Sequence, residues 1–435
     1  MQYYFIGIKG SGMASLACML KDLGNDVIGS DIDKHFFTED ELVKRNIKIL
    51  PFNPNNIKDN TTVIIGNAFL EDFDEVISAR NNKTCKCYRY HEFLGEFIKQ
   101  YHSVGIAGSH GKTTTTTIAK TVFSKFKNTG YLIGDGEGYI NNDSEYICIE
   151  ADEFRRHFLS YYIDYAIITN IEIDHIDYFK DENDYFEAFQ SYVNNTKKIV
   201  IYNGDDSWCN KLVFNNKEHY SYGFNSNNDF VIDKLVINDK GSSFDLLFKG
   251  KVVYHYTLPF TQKHIVMDAV SIICLAYIIG FDCKDVESSF NDYHSPKRRF
   301  IVEKYKNSIL IDDYAHHPTE VKVTIQSAKD LYPSKKIIAI FKPHRASRVQ
   351  YFASEFVEAL KLADKVYLID FTSIDDKQDG TDIDISYLSN MIDNSIILSE
   401  DEEGAKLLAS NGDAVYLFMS SKDIYNIANL CKKYL

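Results

Sequence analysis

An α/β fold with parallel sheets, divided into three domains, is the fold class that the sequence predicts. Apolar segments of strand length alternate with helical segments along the chain, which is typical of parallel strands joined by helices. The chain has 435 residues, more than one hydrophobic core normally serves. Changes in its pattern indicate three blocks, which span residues 1–100, 101–295 and 296–435.

The first block begins with a predicted strand at residues 3–8, followed by a glycine turn and a helix near 13–23. Two more strands are predicted at 27–30 and 63–66. The turn contains four small residues that let backbone N–H groups approach a diphosphate: Gly7, Gly10, Ser11 and Gly12. By itself such a turn indicates a NAD site only weakly, and Lys9 interrupts even that pattern.

Two polar residues lie at the end of the second predicted strand. Ser30 and Asp31 lie where an acidic residue commonly meets a ribose or base in a domain of this kind. We therefore expect the first block to bind a nucleotide-containing ligand through the glycine turn and these two side chains.

The second block opens with another strand, loop and helix, at residues 103–123. The loop contains the strongest local signal of the chain. It consists of Gly108, Ser109, His110, Gly111, Lys112, Thr113 and Thr114. Glycines allow backbone N–H groups to surround phosphate, lysine neutralises its charge, and the next hydroxyl ligates Mg²⁺. A chance Gly-Lys-Thr turn is the alternative, and Ile106 stands where the general phosphate-loop pattern has glycine.

Polar residues end the next two predicted strands, at 146–150 and 165–169. Because ligands bind at the carboxyl ends of parallel strands, Thr113, Glu150 and His175 are expected to converge. A hydroxyl, a carboxylate and an imidazole can hold Mg²⁺ against nucleotide phosphates. The alternative is that they are solvated residues at strand ends.

The rest of the chain continues the alternation. A strand-rich stretch at 229–258 and a long apolar helix at 265–279 complete the second block. Lys297, Arg298 and Arg299 follow a proline and are either a solvated hinge or a functional cluster. The third block has predicted strands at 309–312, 336–341, 365–370 and 414–419, and helices after Pro318, from about 350 and at the C-terminus.

Seven segments in order resemble the motifs of the Mur ligase family. They read GIKGSGM at 7–13, GSHGKTT at 108–114, EADE at 150–153, TNIEIDH at 169–175, KRRF at 297–300, DDYAHHPTE at 312–320 and PHRASR at 343–348. The resemblance covers nearly the whole chain and is nearest to the members that add L-alanine. The segments at 89–95 and 155–158 are similar to the form found in low-GC Gram-positive bacteria.

The resemblance implies a fold and a reaction. The fold is a Rossmann-like first domain, a central P-loop ATPase-like parallel sheet with a small added antiparallel sheet, and a mobile Rossmann-like third domain. The reaction is ATP- and Mg²⁺-dependent ligation of L-alanine to UDP-N-acetylmuramate through an acyl phosphate, in peptidoglycan synthesis. Monomers or weak dimers are expected.

The resemblance also assigns roles to single residues. Lys112, Glu150 and His175 would be catalytic, together with Arg345 and Arg348, which would neutralise phosphate charge or hold the sugar nucleotide. Further nucleotide contacts are implied for His264, Asp268, Asp312, Asp313 and His316. A weaker interpretation is that His316 and His317 bind a metal ion together, because adjacent residues rarely converge on one ion.

Two departures from the family pattern affect ligand binding. Lys9 replaces a glycine in the diphosphate turn, where a lysine could still lie beside a diphosphate. The adenine-contacting segment of the family has two asparagines, and Ile265 and Asp268 stand in their positions. Isoleucine offers adenine no polar atom and an ionised aspartate only accepts hydrogen bonds, so nucleotide choice could differ.

Other functions remain open. A recycling ligase, which attaches a tripeptide to the same sugar nucleotide, shares most of the motifs. A non-catalytic relative that binds the UDP-sugar would explain the altered adenine segment. A folylpolyglutamate-type ligase shares the phosphate loop, but the glycine turn at Gly7 argues against it.

Composition excludes some partners. The net charge of -14 argues against nucleic acid, which requires a basic face. The sequence contains neither a signal-peptide pattern nor the long apolar run of a membrane helix. The eight scattered cysteines are expected to be free thiols in a reducing compartment, so we expect a cytoplasmic protein without membrane insertion.

Overall fold

The computed structural model describes residues 1–36, 38–134, 136–371 and 381–435. Three separate sheets organise these residues, with five, ten and six strands. Helices connect most of the parallel strands, which confirms the predicted three-domain α/β fold.

The first domain is a five-stranded parallel sheet in the order β3-β2-β1-β4-β5. Its strands are β1 Gln2–Ile6, β2 Asp26–Ser30, β3 Lys48–Leu50, β4 Thr62–Ile65 and β5 Lys86–Arg89. Its helices are α1 Ser11–Asp22, α2 Glu39–Lys44, α3 Asp74–Asn81 and α4 Tyr90–Phe97. The chain order of the strands reverses at β1, so the glycine turn after β1 lies at a topological switch point, where such sheets bind ligands.

The central domain is a ten-stranded sheet in the order β15-β14-β13-β12-β11-β10-β6-β9-β7-β8. Its strands are β6 His102–Ala107, β7 Thr129–Leu132, β8 Gly138–Tyr139, β9 Tyr146–Glu150, β10 Tyr165–Ile168, β11 Ile199–Asn203, β12 Glu218–Gly223, β13 Phe230–Asn238, β14 Gly241–Phe248 and β15 Lys251–Leu258. Its helices are α5 Lys112–Phe126, α6 Glu182–Asn195, α7 Lys263–Ile278 and α8 Cys283–Ser289.

The predicted antiparallel strands are present and extend the central parallel sheet. β13, β14 and β15 pair antiparallel, and two residues of β13 pair in parallel with β12. The added strands therefore continue one sheet instead of forming a separate layer.

The third domain is a six-stranded sheet in the order β16-β17-β21-β18-β19-β20, with β16 antiparallel. Its strands are β16 Ile301–Tyr305, β17 Ser308–Asp313, β18 Lys336–Phe341, β19 Lys365–Leu368, β20 Ile396–Ile397 and β21 Ala414–Met419. Its helices are α9 Pro318–Leu331, α10 Ala346–Tyr351, α11 Ala353–Leu360, α12 Ser386–Ser389, α13 Glu402–Ala409 and α14 Tyr425–Tyr434.

The hydrophobic cores explain how the domains are held together. One cluster of buried residues runs from α1 of the first domain to α6 of the central domain. The two backbones approach closely there, because a side chain at Gly95 would lie 2.3 Å from the carbonyl of Ser160. In the described part of the chain, no helix is long and apolar enough to cross a membrane.

Candidate active site

The phosphate loop joins the end of β6 to the start of α5. Gly108 and Gly111 have φ of 149° and 83°, a region that favours glycine. A side chain at Gly108 would also lie 1.9 Å from the hydroxyl of Thr169. The glycines therefore close the loop, and its geometry together with the N-terminus of α5 is of the kind that holds anionic phosphate.

Lys112 is the first residue of α5, and its ammonium group turns back over the loop. Its Nζ donates to the carbonyl of Gly108 at 2.6 Å and lies 2.9 Å from Oε2 of Glu153, whose side chain is fully buried. Burial lowers the pKa of Lys112, but the charges of Glu153 and Asp152 outweigh burial and raise it. The lysine is therefore charged and fixed within the loop.

Glu150 ends β9 and faces the start of α5. Its Oε1 accepts a hydrogen bond from the N–H of Gly134 at 2.6 Å. Burial raises the pKa of Glu150. The Gly134 N–H, the charge of Lys112 and the Thr113 hydroxyl each lower it, but burial outweighs them. Thr113 and Glu150 therefore lie together, as predicted from their strand and helix ends.

His175 lies against a different carboxylate from the one predicted. Its Nε2 is 3.6 Å from Oε1 of Glu153, and its ring centroid is 4.7 Å from that of Phe154. Asp152, Glu153 and His175 each present one ligand atom within 4.8 Å of the others. The predicted trio therefore separates into Thr113 with Glu150, and His175 with Glu153.

These two groups fit a divalent cation. Glu150, Asp152 and Glu153 are three acids whose charges all act on one lysine, Lys112. Nδ1 of His175 is buried and has no hydrogen-bond partner among the described residues. Carboxylate and hydroxyl oxygens are preferred by Mg²⁺, which would relieve the excess negative charge.

A cavity of about 730 Å³ lies between the central domain and helix α9 of the third domain. His264 and Met267 line it from α7, Phe224 from the central domain, and Gln326 and Asp330 from α9. Its volume suits a nucleoside. Burial lowers the pKa of His264 to about 4, so this imidazole is neutral.

The altered residues of the adenine segment lie on either side of His264. Ile265 is buried in the core of the central domain. Asp268 is also buried, and a side chain added at Gly111 would lie 2.8 Å from its Oδ1. Burial raises the pKa of Asp268 to about 8, although the Thr115 hydroxyl and the Arg299 charge lower it. Asp268 therefore contacts the phosphate loop instead of lining the cavity.

The glycine turn of the first domain is closely packed. Gly7 has a φ of 80°, and a side chain there would lie 2.1 Å from the ring of Phe69. A side chain at Gly12 would lie 2.4 Å from the hydroxyl of Tyr90. Gly10 precedes α1 and Ser11 begins it, so their N–H groups are at the helix N-terminus.

The polar residues near this turn mainly bind protein groups. Lys9 Nζ donates to the carbonyls of Ile32 and Lys34, at 3.1 and 2.9 Å, and pairs with Glu39 at 2.9 Å. Asp31 accepts from the N–H of Lys9 at 2.8 Å, and the Ser30 hydroxyl donates to Glu75. The suggestion that Lys9 lies beside a diphosphate is not supported by these contacts.

The acids at the end of β17 lie inside the third domain. Asp313 accepts hydrogen bonds from the N–H groups of Phe300 and Ala315, both at 2.8 Å, and burial raises its pKa to about 6. Asp312 pairs with Arg298 at 3.5 Å. His316 lies 3.0 Å from Glu320 through Nδ1. Asp313 therefore connects the segment before β16 to the turn after β17. Nucleotide contacts by Asp312, Asp313 and His316 remain predictions.

Arginines of the third domain reach the central domain. Arg348 pairs with Asp174 at 2.7 Å, and Arg345 pairs with Asp177. Arg299 Nη2 donates to the Thr113 hydroxyl at 3.3 Å. The segment at 297–299 therefore includes a contact with the phosphate loop at Arg299, whereas Lys297 is exposed.

Sequence reasoning missed several residues of the site. Glu153, Glu172 and Glu320 all lie inside the recognised motifs, but no role was assigned to them. Their importance depends on which partner each carboxylate reaches, and the motif letters do not contain that information.

The fold and site define a phosphate-loop protein of three α/β domains, and comparison with known proteins agrees. Three family models match in order: the Mur ligase family catalytic domain at residues 2–102, the Mur ligase middle domain at 106–276, and the Mur ligase glutamate ligase domain at 298–421. The chain belongs to the Mur ligase family, whose members are ATP-dependent amide-bond-forming ligases.

Solved structures share the whole fold. UDP-N-acetylmuramate-alanine ligase from Thermotoga maritima is 25% identical with a TM-score of 0.81, covering 100% of this chain and 99% of its own. Murein peptide ligase from Psychrobacter arcticus is 22% identical with a TM-score of 0.72, covering 100% and 98%. MurF ligase from Thermotoga maritima, in complex with ADP, is 17% identical with a TM-score of 0.66, covering 94% of each chain.

Proposed function

We propose that this protein ligates L-alanine to the lactyl carboxylate of UDP-N-acetylmuramate, using ATP and forming an acyl phosphate. The reaction would be a cytoplasmic step of peptidoglycan synthesis. The observation that supports it most is the convergence of Lys112, Thr113, Glu150 and Glu153 at one end of the central sheet. The similarity to an alanine-adding ligase over the full length supports the choice of substrates.

The residues suggest how ATP would bind. The loop N–H groups and Lys112 would hold the β- and γ-phosphates, and the cavity beside His264 and Met267 would hold the nucleoside. Thr113 and Glu150, with His175 and Glu153 nearby, would hold Mg²⁺, which supplies charge neutralisation of the phosphates. The UDP end of the sugar nucleotide would lie at the glycine turn of the first domain.

Two transfers would then follow. The sugar carboxylate attacks the γ-phosphorus, the bond to the bridging oxygen of ADP breaks, and an acyl phosphate forms. The alanine amine attacks the acyl carbon, loses a proton and expels inorganic phosphate. Little covalent assistance is required, so positioning and electrostatic stabilisation would supply most of the catalysis.

The third domain would complete the site by covering it. Arg299, Arg345 and Arg348 lie at its contact with the central domain. Closure over bound substrates would exclude water, which would otherwise hydrolyse the acyl phosphate. Arg345 and Arg348 would then act partly by holding Asp177 and Asp174.

Two alternatives are separated by one experiment. The purified protein receives UDP-N-acetylmuramate, Mg²⁺ and ATP, with L-alanine, L-serine, glycine or the tripeptide L-Ala-γ-D-Glu-diaminopimelate added separately. Phosphate release and product mass are measured. Release that depends on L-alanine, with an L-alanyl product, supports the proposal. A product with the tripeptide alone indicates the recycling ligase instead.

The non-catalytic alternative has its own outcome. If the protein binds UDP-N-acetylmuramate but releases no phosphate with ATP or GTP under any amino-acid condition, it is not a ligase. Turnover with GTP but not ATP would mean that the protein is a ligase with a different base preference. We would attribute that preference to the segment around Ile265 and Asp268.

A further inference from the structure

The side chain of His110 lies between two carboxylates that belong to different domains. Its Nε2 is 3.0 Å from Oε2 of Glu172 in the central domain. Its Nδ1 is 3.3 Å from Oε1 of Glu320, in the first turn of α9. The histidine of the phosphate loop is therefore hydrogen-bonded through Nε2 within its own domain and ion-paired through Nδ1 across the domain contact.

The same two carboxylates are fixed by further contacts across this boundary. The Thr319 hydroxyl donates to Oε1 of Glu172 at 2.6 Å. Oε2 of Glu320 accepts from the N–H groups of His316 and His317, at 3.0 and 3.2 Å. Both acids are therefore held in position, and each has one oxygen directed at His110.

The backbone of His110 sets the shape of the loop. Its N–H donates to Oδ1 of Asn170 at 2.9 Å, and its carbonyl accepts from Thr169 Oγ1 at 2.6 Å and Asn170 Nδ2 at 3.0 Å. His110 lies two residues before Lys112, so a change in its position moves the phosphate-binding N–H groups. Contacts of its side chain thus affect the loop directly.

Electrostatics favour an imidazolium in this arrangement. Burial lowers the pKa of His110, but hydrogen bonds and charges from Glu172 and Glu320 outweigh it and raise the pKa to about 10. The neighbouring imidazole of His317, with its ring centroid 4.6 Å away, opposes this only weakly, because burial and the charge of His110 lower its own pKa to about 4.

His110, Glu172 and His317 also present ligand atoms within 4.8 Å of one another, as a metal site would require. Both nitrogens of His110 are already engaged by carboxylates, however. A metal ion would have to displace a charge-assisted hydrogen bond, which is among the stronger kinds in proteins. A proton is therefore the better cation for this cluster.

We propose, on the basis of the function proposed above, that Glu320 and Glu172 are positioning residues that act through His110. In the arrangement of the two domains seen here, Glu320 pairs with His110, and the ring, held from both sides, keeps the phosphate loop in its nucleotide-binding shape. The domain that covers the site would thereby also complete the loop, so an open enzyme would bind and use ATP less well.

Glu320→Gln tests this coupling, because it removes the charge and keeps the size of the side chain. Glu355→Gln is the matched control: it is an exposed glutamate in the first turn of α11 of the same domain. Hydrogen exchange of the backbone at 108–113 is measured on the full-length protein without ligands, alongside its melting temperature. We expect at least about tenfold faster exchange in Glu320→Gln and no change in the control.

Kinetics and a double-mutant cycle complete the test. In Glu320→Gln, kcat/KM for ATP should fall about 10- to 100-fold, the range for loss of a charge-assisted hydrogen bond. His110→Gln and Glu320→Gln should be non-additive for loop exchange, because each removes the same contact. Glu172→Gln, which removes the carboxylate on the other side of His110, should also speed exchange of the loop. It replaces Glu320→Gln in the test if that variant does not fold.

The results separate this proposal from the proposed function. If Glu320→Gln and Glu172→Gln leave loop exchange at the value of the unmodified protein, or if the cycle is additive, the positioning role is refuted. If the unmodified protein shows no ligation at all, the proposed function fails, while the exchange measurements still decide whether the loop is coupled to the third domain.

Discussion

Arg348 of the third domain donates two hydrogen bonds to Oδ1 of Asp174 in the central domain, from Nε at 3.1 Å and Nη2 at 2.7 Å. The two side chains are only 5% and 7% exposed. Burial raises the pKa of Asp174, but the charges of Arg348 and His175 hold it well below the ordinary value. Since Asp174 directly precedes His175, this pair also fixes the predicted metal ligand.

Arg348→Ala is expected to separate the third domain from the central domain. It leaves Asp174 buried without its partner, which costs about 3–5 kcal/mol in comparable cases. Small-angle scattering should show a larger radius of gyration, and ligase activity should fall at least about a hundredfold. Arg80→Ala, which removes a pair with the exposed Glu71, is the control and should change neither. An unchanged radius would contradict this account of closure.

Lys112→Met is expected to lower kcat by about 10²–10³-fold, the usual effect of removing one group that stabilises transition-state charge. Phosphate release is the measurement, and calorimetry should show unchanged affinity for UDP-N-acetylmuramate, which would lie on the first domain. Lys125→Met, at an exposed position in the last turn of α5, is the control. Activity within twofold of the unmodified protein would remove Lys112 from the mechanism.

Asp268→Asn is expected to change how stability depends on pH. Burial raises the pKa of Asp268 from the ordinary 3.8 to about 8, so the folded state retains this proton more tightly than the unfolded state. The contribution of Asp268 to the free energy of unfolding is therefore fully present below about pH 4. It is lost progressively as the pH rises to about 8. Asparagine does not titrate, so the variant does not lose stability in this way.

The test compares melting temperatures from pH 5 to pH 9. The advantage of Asp268→Asn over the unmodified protein should increase through this range and level off above pH 8. ATP affinity of the unmodified protein should also weaken above pH 8, because an ionised Asp268 beside Gly111 repels phosphate. A constant difference between the two proteins at all pH values would mean that Asp268 does not titrate there.

Gly7→Ala and Gly24→Ala separate backbone strain from close packing. Both glycines have a φ of 80°, so each substitution costs about 1–2 kcal/mol in strain. A side chain at Gly7 would also meet the Phe69 ring at 2.1 Å, whereas Gly24 has nothing within 4 Å. Urea unfolding should show a larger loss for Gly7→Ala, which should alone lose sugar-nucleotide binding. Equal losses would contradict the close packing.

Much of the fold could be predicted because its signals are local. The strands β6, β9 and β10 are short apolar runs, and the glycines around Lys112 mark the phosphate loop without any tertiary information. The end of each strand indicates which side chains share one sheet edge, and Thr113 and Glu150 were found together for that reason.

The contacts between domains could not be predicted in the same way. Arg299 appeared either as a solvated hinge residue or as a functional one, because its partner Thr113 is 186 positions away. The pairing of His175 with Glu153 instead of Glu150 depends on the turn after β9, where Arg155 and Arg156 have positive φ. The contacts of Lys9 depend on the chain after β2, which local pattern does not determine.

An isotope-transfer measurement tests the proposed acyl phosphate most directly. UDP-N-acetylmuramate labelled with ¹⁸O in its carboxylate is incubated with the protein, Mg²⁺, ATP and L-alanine, and the released phosphate is analysed by mass. The account predicts that each phosphate contains one oxygen from the sugar and appears together with the L-alanyl product. Phosphate without label would show that ATP is only hydrolysed by water, and would contradict the ligase mechanism.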